Sequence, residues 1–126
     1  MKVTLTPQES EELFETALCN GLGYIESGYD LELTYKREDY DSARDRLTSP
    51  CYEDVLMQIL RDGNGLTLVD HGYAGEHTKT ITLKDVHERV QDTPLRHLMD
   101  AINEDGDAVT ADVVLQQVFY KETIFG

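Results

Sequence analysis

The chain has 126 residues and carries 11 Lys and Arg against 25 Asp and Glu, a formal net charge of −14 with a pI near 4.4. That excess repels phosphate backbones and anionic lipid surfaces, which argues against direct nucleic-acid binding and membrane-surface binding through a basic face. No apolar run of about 18 residues and no basic-then-apolar leader is visible, so a cytoplasmic protein without a membrane span is expected.

The chain opens on an expected short strand at residues 2–5. Thr6-Pro7-Gln8-Glu9 then reads as a capping box. Proline at the first helical position lacks an N–H that would be unsatisfied there anyway, and Glu9 sits at N3. A helix over 7–19 follows, with Leu13, Phe14, Ala17 and Leu18 inside and a stop at Asn20-Gly21. Residues 29–35 alternate: Tyr29, Leu31, Leu33 and Tyr35 on one face, Asp30, Glu32 and Thr34 on the other. That period of two predicts a half-buried strand.

A polar helix is expected over 37–47. Ser49-Pro50 starts a strongly patterned one over 50–61, with Tyr52, Val55, Leu56, Ile59 and Leu60 on one face. Strands at 66–70 and 78–83 follow, joined by an open loop from Asp70 to His77. Thr82 caps a helix running to about Gln91. Thr93-Pro94 starts the next, over 94–104, with Leu95, Leu98, Met99 and Ile102 buried. After a break at 103–107, the last helix covers 110–121 with Val114, Leu115, Val118 and Phe119 inside. The predicted class is α+β: a small antiparallel sheet of three to four strands packed against about six helices. With 40% hydrophobic residues in these periodic patterns, a single compact domain over 1–126 is expected, not a disordered acidic chain.

Candidate chemistry is sparse. Cys19 and Cys51 lie in apolar contexts and are expected as small, inert core residues, not as nucleophiles. Asp70, His71, Glu76 and His77 could supply metal ligands, but their spacing matches no zinc motif, and a solvated hairpin loop accounts for the same letters. His87 and His97 read as edge residues. Glycine pairs at 21–23 and 63–65 do not open a helix, so no phosphate cradle is formed. No cofactor, metal or catalytic set is expected, and the chain is read as non-enzymatic. A metal-dependent enzyme built on the 70–77 loop is one alternative. The other is a structural homo-oligomer held by the apolar closing segment 122–126, which otherwise docks on its own core.

The charge itself is the remaining signal. It is spread over the whole chain and is least diluted on the first helix and the strand region after it. Glu9, Glu11, Glu12, Glu15, Asp30 and Glu32 are therefore the candidate partner-binding residues. Such a surface either keeps the protein in solution or presents carboxylates where a basic protein expects phosphates. Seven tyrosines and no tryptophan add rings suited to interfaces.

Two stretches, CYEDVLMQILRDG at 51–63 and ITLKDVHERV at 81–90, resemble small uncharacterised acidic proteins carried by phages and mobile elements of gut bacteria. The resemblance implies an accessory protein, including one that counters host defence, and it carries over no activity and no site residue. Together these readings give an acidic protein-binding module, in its sharpest form an inhibitor of a nucleic-acid-handling host protein.

Overall fold

The computed structural model describes residues 3–72 and 74–126. Among them are six α-helices and three strands: α1 (Pro7–Tyr29), β1 (Leu31–Thr34), α2 (Arg37–Asp45), α3 (Tyr52–Arg61), β2 (Leu66–Asp70), β3 (Lys79–Ile81), α4 (Leu83–Arg89), α5 (Leu95–Ile102) and α6 (Ala108–Tyr120), with a 3-10 turn at Val90–Asp92. The sheet is antiparallel in the order β1-β2-β3, with Leu33 opposite Leu68 and Leu66 opposite Ile81. The fold is α+β, as the patterning predicts.

The start of α1 follows its sequence. The Thr6 hydroxyl accepts from the Glu9 N–H at 3.1 Å, and the Glu9 carboxylate accepts from the Thr6 N–H at 2.8 Å. Its end does not. The helix runs through Asn20-Gly21 for 23 residues. Gly21 is a contact rather than a stop: a Cβ there would lie 2.7 Å from the Ala111 Cβ and 3.3 Å from α6 backbone. Asp30, in the left-handed region at φ 55, closes the helix instead, its N–H bonded to the Glu26 carbonyl. The strand predicted from Tyr29 therefore begins at Leu31. Leu31 and Leu33 are buried and Glu32 is exposed, so the alternation survives in the shorter strand.

Gly21→Ala tests that contact. Alanine gains about 1 kcal/mol of helix propensity, but overpacking against a rigid neighbour costs about 1–3 kcal/mol. A net loss of about 1 kcal/mol is expected in urea unfolding. Gly23, with nothing within 4 Å of an added Cβ, is the contrast. Gly23→Ala should gain about 0.5–1 kcal/mol.

Other predicted boundaries move for local reasons. Residues 3–5 form no strand, while Lys2 lies outside the described residues. Leu5 instead donates its N–H to the Gln91 side chain at 3.1 Å. Ser49 does not cap α3; it adopts φ 47, and Cys51 is the N-cap, its N–H bonded to Asp54 at 3.1 Å. Pro94 occupies the N-cap of α5 instead of its first turn. Asp107 caps α6, accepting from the N–H groups of Val109 and Thr110.

The buried core draws on α1, α2, α3, α4, α6 and all three strands. Burying a side chain such as Phe14, Leu56 or Leu115 contributes about 1.5–3 kcal/mol. α6 is buried nearly all round, and its Asp112, Gln116 and Gln117 are buried with its apolar residues. α5 differs. It packs on α6, but it contributes nothing to the main core cluster, and only Leu98 of its apolar residues is buried. Among the described residues, no helix is long and apolar enough to cross a membrane.

Candidate functional site

α1 and α6 approach closely at Gly21 and Ala111. Nearer the start of α1, residues 9 to 20 form one wall of a groove of about 490 Å³, with α6, the end of α5 and the link between them as the other. Leu13 and Ala17 from α1, Ala101 and Ile102 from α5, and Ala111 and Val114 from α6 give it an apolar lining. Glu9, Glu12, Glu104 and Asp107 also line it, no Lys or Arg does among the described residues, and His97 stands at its edge, 3.4 Å from the Thr110 hydroxyl.

Two of these carboxylates are fixed by the fold. Hydrogen bonds from Thr6, the backbone N–H first, hold Glu9 below the usual carboxylate range. The Thr110 N–H leads the same effect at Asp107. Like any ordinary carboxylate, both are ionised at neutral pH, and the capping bonds fix where their charge sits beside the groove.

Beside the groove, α5 turns an apolar stripe outward. Leu95, Met99 and Ile102 are 43%, 39% and 38% exposed, although the sequence pattern places them inside. At about 100° per residue they share roughly 60° of arc on the helix. Leu98, at one edge of the stripe, takes the contact with the rest of the fold and leaves the others open. Val109, at the start of α6, is 57% exposed.

The six sequence-predicted carboxylates do not form one surface. Glu9 and Glu12 line the groove. Glu11 faces α3 and α4, where Arg61 and His87 reach it at 2.7 and 2.8 Å. Burial pushes the Glu11 carboxyl up, but those hydrogen bonds outweigh it and hold it below the ordinary range. Asp30 and Glu32 lie at the far end of α1, roughly 30 Å along the helix from Glu9. There the His71 N–H donates to the Asp30 carbonyl at 3.0 Å, and the His71 ring lies 2.9 Å from Glu32.

Glu15 is half-buried against Asp54. Burial first, then the Asp54 and Glu53 charges, raise its carboxyl above the usual range. The ionised form is thus disfavoured in the folded state, and Glu15→Gln should raise the melting temperature at pH 7. The gain should fade as pH falls through the raised titration, because the native carboxyl is then neutral too. Glu9 and Asp107 act in the opposite sense. Their stabilisation is complete above the unfolded range near pH 4 and is lost as pH falls through their lowered folded values. The difference between melting curves of Glu15→Gln and the parent across pH 3–7 checks the sign at Glu15, and that between Asp107→Asn and the parent checks the opposite sign.

The remaining candidates have structural roles. Cys19 and Cys51 are exposed, contrary to the expectation of core residues. Cys19 falls on the outer face of the lengthened α1, and Cys51 sits at a helix cap. Burial and then Glu53 raise the Cys19 thiol, so it is not activated as a nucleophile.

The 70–77 loop is open, as its length predicts, and its Tyr73 lies outside the described residues. Buried Asp70 organises it, accepting from the Gly72 and His77 N–H groups at 2.8 and 3.1 Å. His71 turns to Glu32, and the His77 ring packs edge-on against Phe125. Among the described residues, no group of three or more His, Cys, Asp or Glu side chains converges as a metal site would require.

The closing segment docks on its own core. Gln116 accepts from the Ile124 and Phe125 N–H groups, and its amide donates to the Phe125 carbonyl and to Asp112. Asp112 also accepts the Tyr29 hydroxyl at 2.5 Å, which pushes that phenol up to about 12. Phe125 stacks on Tyr29. Tyr35, Tyr40 and Tyr52 form a second ring cluster on the opposite side of β1 in sequence, with Tyr52 partly exposed. A comparison of the chain with protein-family models, curated proteins and solved structures finds no match to any of them.

Proposed function

We propose that this chain is a non-enzymatic, acidic protein-binding module that engages a basic partner through the groove between α1 and the α5–α6 corner. The observation that carries the reading is the pairing of an apolar floor with four carboxylates in one cleft, with no Lys or Arg among its described lining residues. Apolar area supplies affinity and the charge supplies steering and choice of partner. The open stripe of Leu95, Met99 and Ile102 extends the apolar surface beyond the cleft. A second copy of the chain would bring carboxylates against carboxylates at a net charge of −14 each, which favours a cationic partner over self-association.

In its sharpest form the module is a phage or mobile-element accessory factor that inhibits a nucleic-acid-handling host protein. A protein built to hold phosphates carries the complementary cations. Only Glu9 and Glu12 of the sequence-predicted surface belong to this groove, joined by Glu104 and Asp107.

Capture from a bacterial host extract with the parent protein and with Ile102→Asp tests the reading. Ile102 is exposed, so the substitution should leave the fold intact. A basic protein held by the parent at low salt, released at high salt and lost with Ile102→Asp is the expected result. The same proteins recovered with both baits at both salt concentrations would overturn it.

A further inference from the structure

We infer that the segment this groove accepts is a cationic amphipathic α-helix, an inference that rests on the binding reading above and specifies its occupant. The groove is walled mainly by α1, α5 and α6, whose main-chain hydrogen bonds are made internally, with Leu5 and the α5–α6 link completing it. None of its described lining residues belongs to a strand, so an extended peptide finds no strand edge to pair with there.

The apolar surface is laid out for a helix. Leu95, Met99 and Ile102 follow one another at intervals of four and three residues along α5, and they continue into the lining through Ile102 itself. A stripe at that spacing packs against a second helix whose apolar residues repeat in the same way. The wall from Glu9 to Asn20 measures about 17 Å along α1, or about three helical turns. A partner helix of similar length would cover it.

The charge selects the flanks. Glu12 and Glu104 belong to opposite walls, α1 and the α5–α6 link, so Lys or Arg on either side of an apolar stripe would each meet a carboxylate. Glu9 and Asp107 add charge that helix capping holds in place. His97 on α5 lies 3.4 Å from the Thr110 hydroxyl at the edge of the cleft, one titratable group against four carboxylates.

The test uses the full chain and two synthetic peptides of about 15 residues, long enough for several helical turns. Both contain the same leucines and lysines. In one the leucines fall at i, i+3, i+4 and i+7; in the other they alternate with period two. Amide shifts of the protein are followed through each titration. The helical pattern should shift Leu13, Ala17, Ile102 and Ala111 and bind about tenfold more tightly than the alternating one. Met99→Asp with Ile102→Asp, both at exposed positions and checked by an unchanged melt, should remove about a tenfold share of that affinity.

Equal affinity for the two peptides, with shifts still in the groove, would overturn the helical occupant and leave the basic-partner reading standing. Binding of neither peptide, or shifts scattered away from the groove, would overturn both.

Discussion

Gln116→Leu is expected to destabilise the chain by about 3 kcal/mol. The side chain is buried, and its carbonyl and amide together contact Asp112, Ile124 and Phe125. Leucine has similar bulk but no polar group. It would leave the Asp112 oxygen without that donor and the main chain of the closing segment without its clamp. Orphaned buried groups cost about 1–3 kcal/mol each, but the segment can leave and be hydrated, which caps the sum. Undocking also removes Phe125 from Tyr29, so part of the cost is lost apolar packing. A fall in melting temperature of roughly 10 °C follows for a chain of this size. Deleting residues 122–126 should give much of the same loss. Combined with Gln116→Leu, it should add less than the two separate effects, because both disrupt one contact. Full additivity would mean that Gln116 stabilises the protein by some other route.

Much of the fold is legible in the sequence where local chemistry and packing agree. Thr6-Pro7-Gln8-Glu9 starts a helix because the reciprocal bonds are local. The alternation around Leu31 and Leu33 marks a half-buried strand because its two faces differ. Legibility fails where a distant neighbour decides. Gly21 reads as a stop, yet it is the point where α6 touches α1, and only the partner at Ala111 reveals that. Cys19 reads as core because its neighbours are apolar, but at about 100° per residue it falls on the face of α1 opposite Phe14. Asp112 and Gln116 look like surface residues until the closing segment folds over them.

The candidate site divides in the same way. An acidic surface is visible in composition, and Glu9 and Glu12 can be picked out from it. Their companions Glu104 and Asp107 lie about ninety residues further along the chain and meet them only through the α1–α6 packing. The α5 stripe was plain in the sequence, but amphipathicity gives a helix an apolar face without saying where that face finds its mate. The natural default is the chain's own core, and here Leu95, Met99 and Ile102 point away from it.

Reversing two groove charges, Glu12→Lys with Glu104→Lys, should weaken binding of the basic partner roughly 30-fold. Each reversal replaces attraction with repulsion, and exposed charges contribute about 0.2–1 kcal/mol per pair. Two losses and two new repulsions therefore approach about 2 kcal/mol. Glu12 and Glu104 are chosen because neither side chain caps a helix (Glu104 closes α5 through its main chain, at φ 60 with its N–H on the Ala101 carbonyl), whereas changes at Glu9 or Asp107 would remove the side-chain caps of α1 or α6. The control is Glu32→Lys with Glu76→Lys, which changes the net charge by the same amount on exposed residues outside the groove. The most direct measurement is the dissociation constant of the captured partner for the parent protein and both double variants, at low and at high salt. The account predicts a loss of roughly 30-fold at low salt for the groove pair and less than about threefold for the control. An equal loss in both pairs, or none in either, would contradict it.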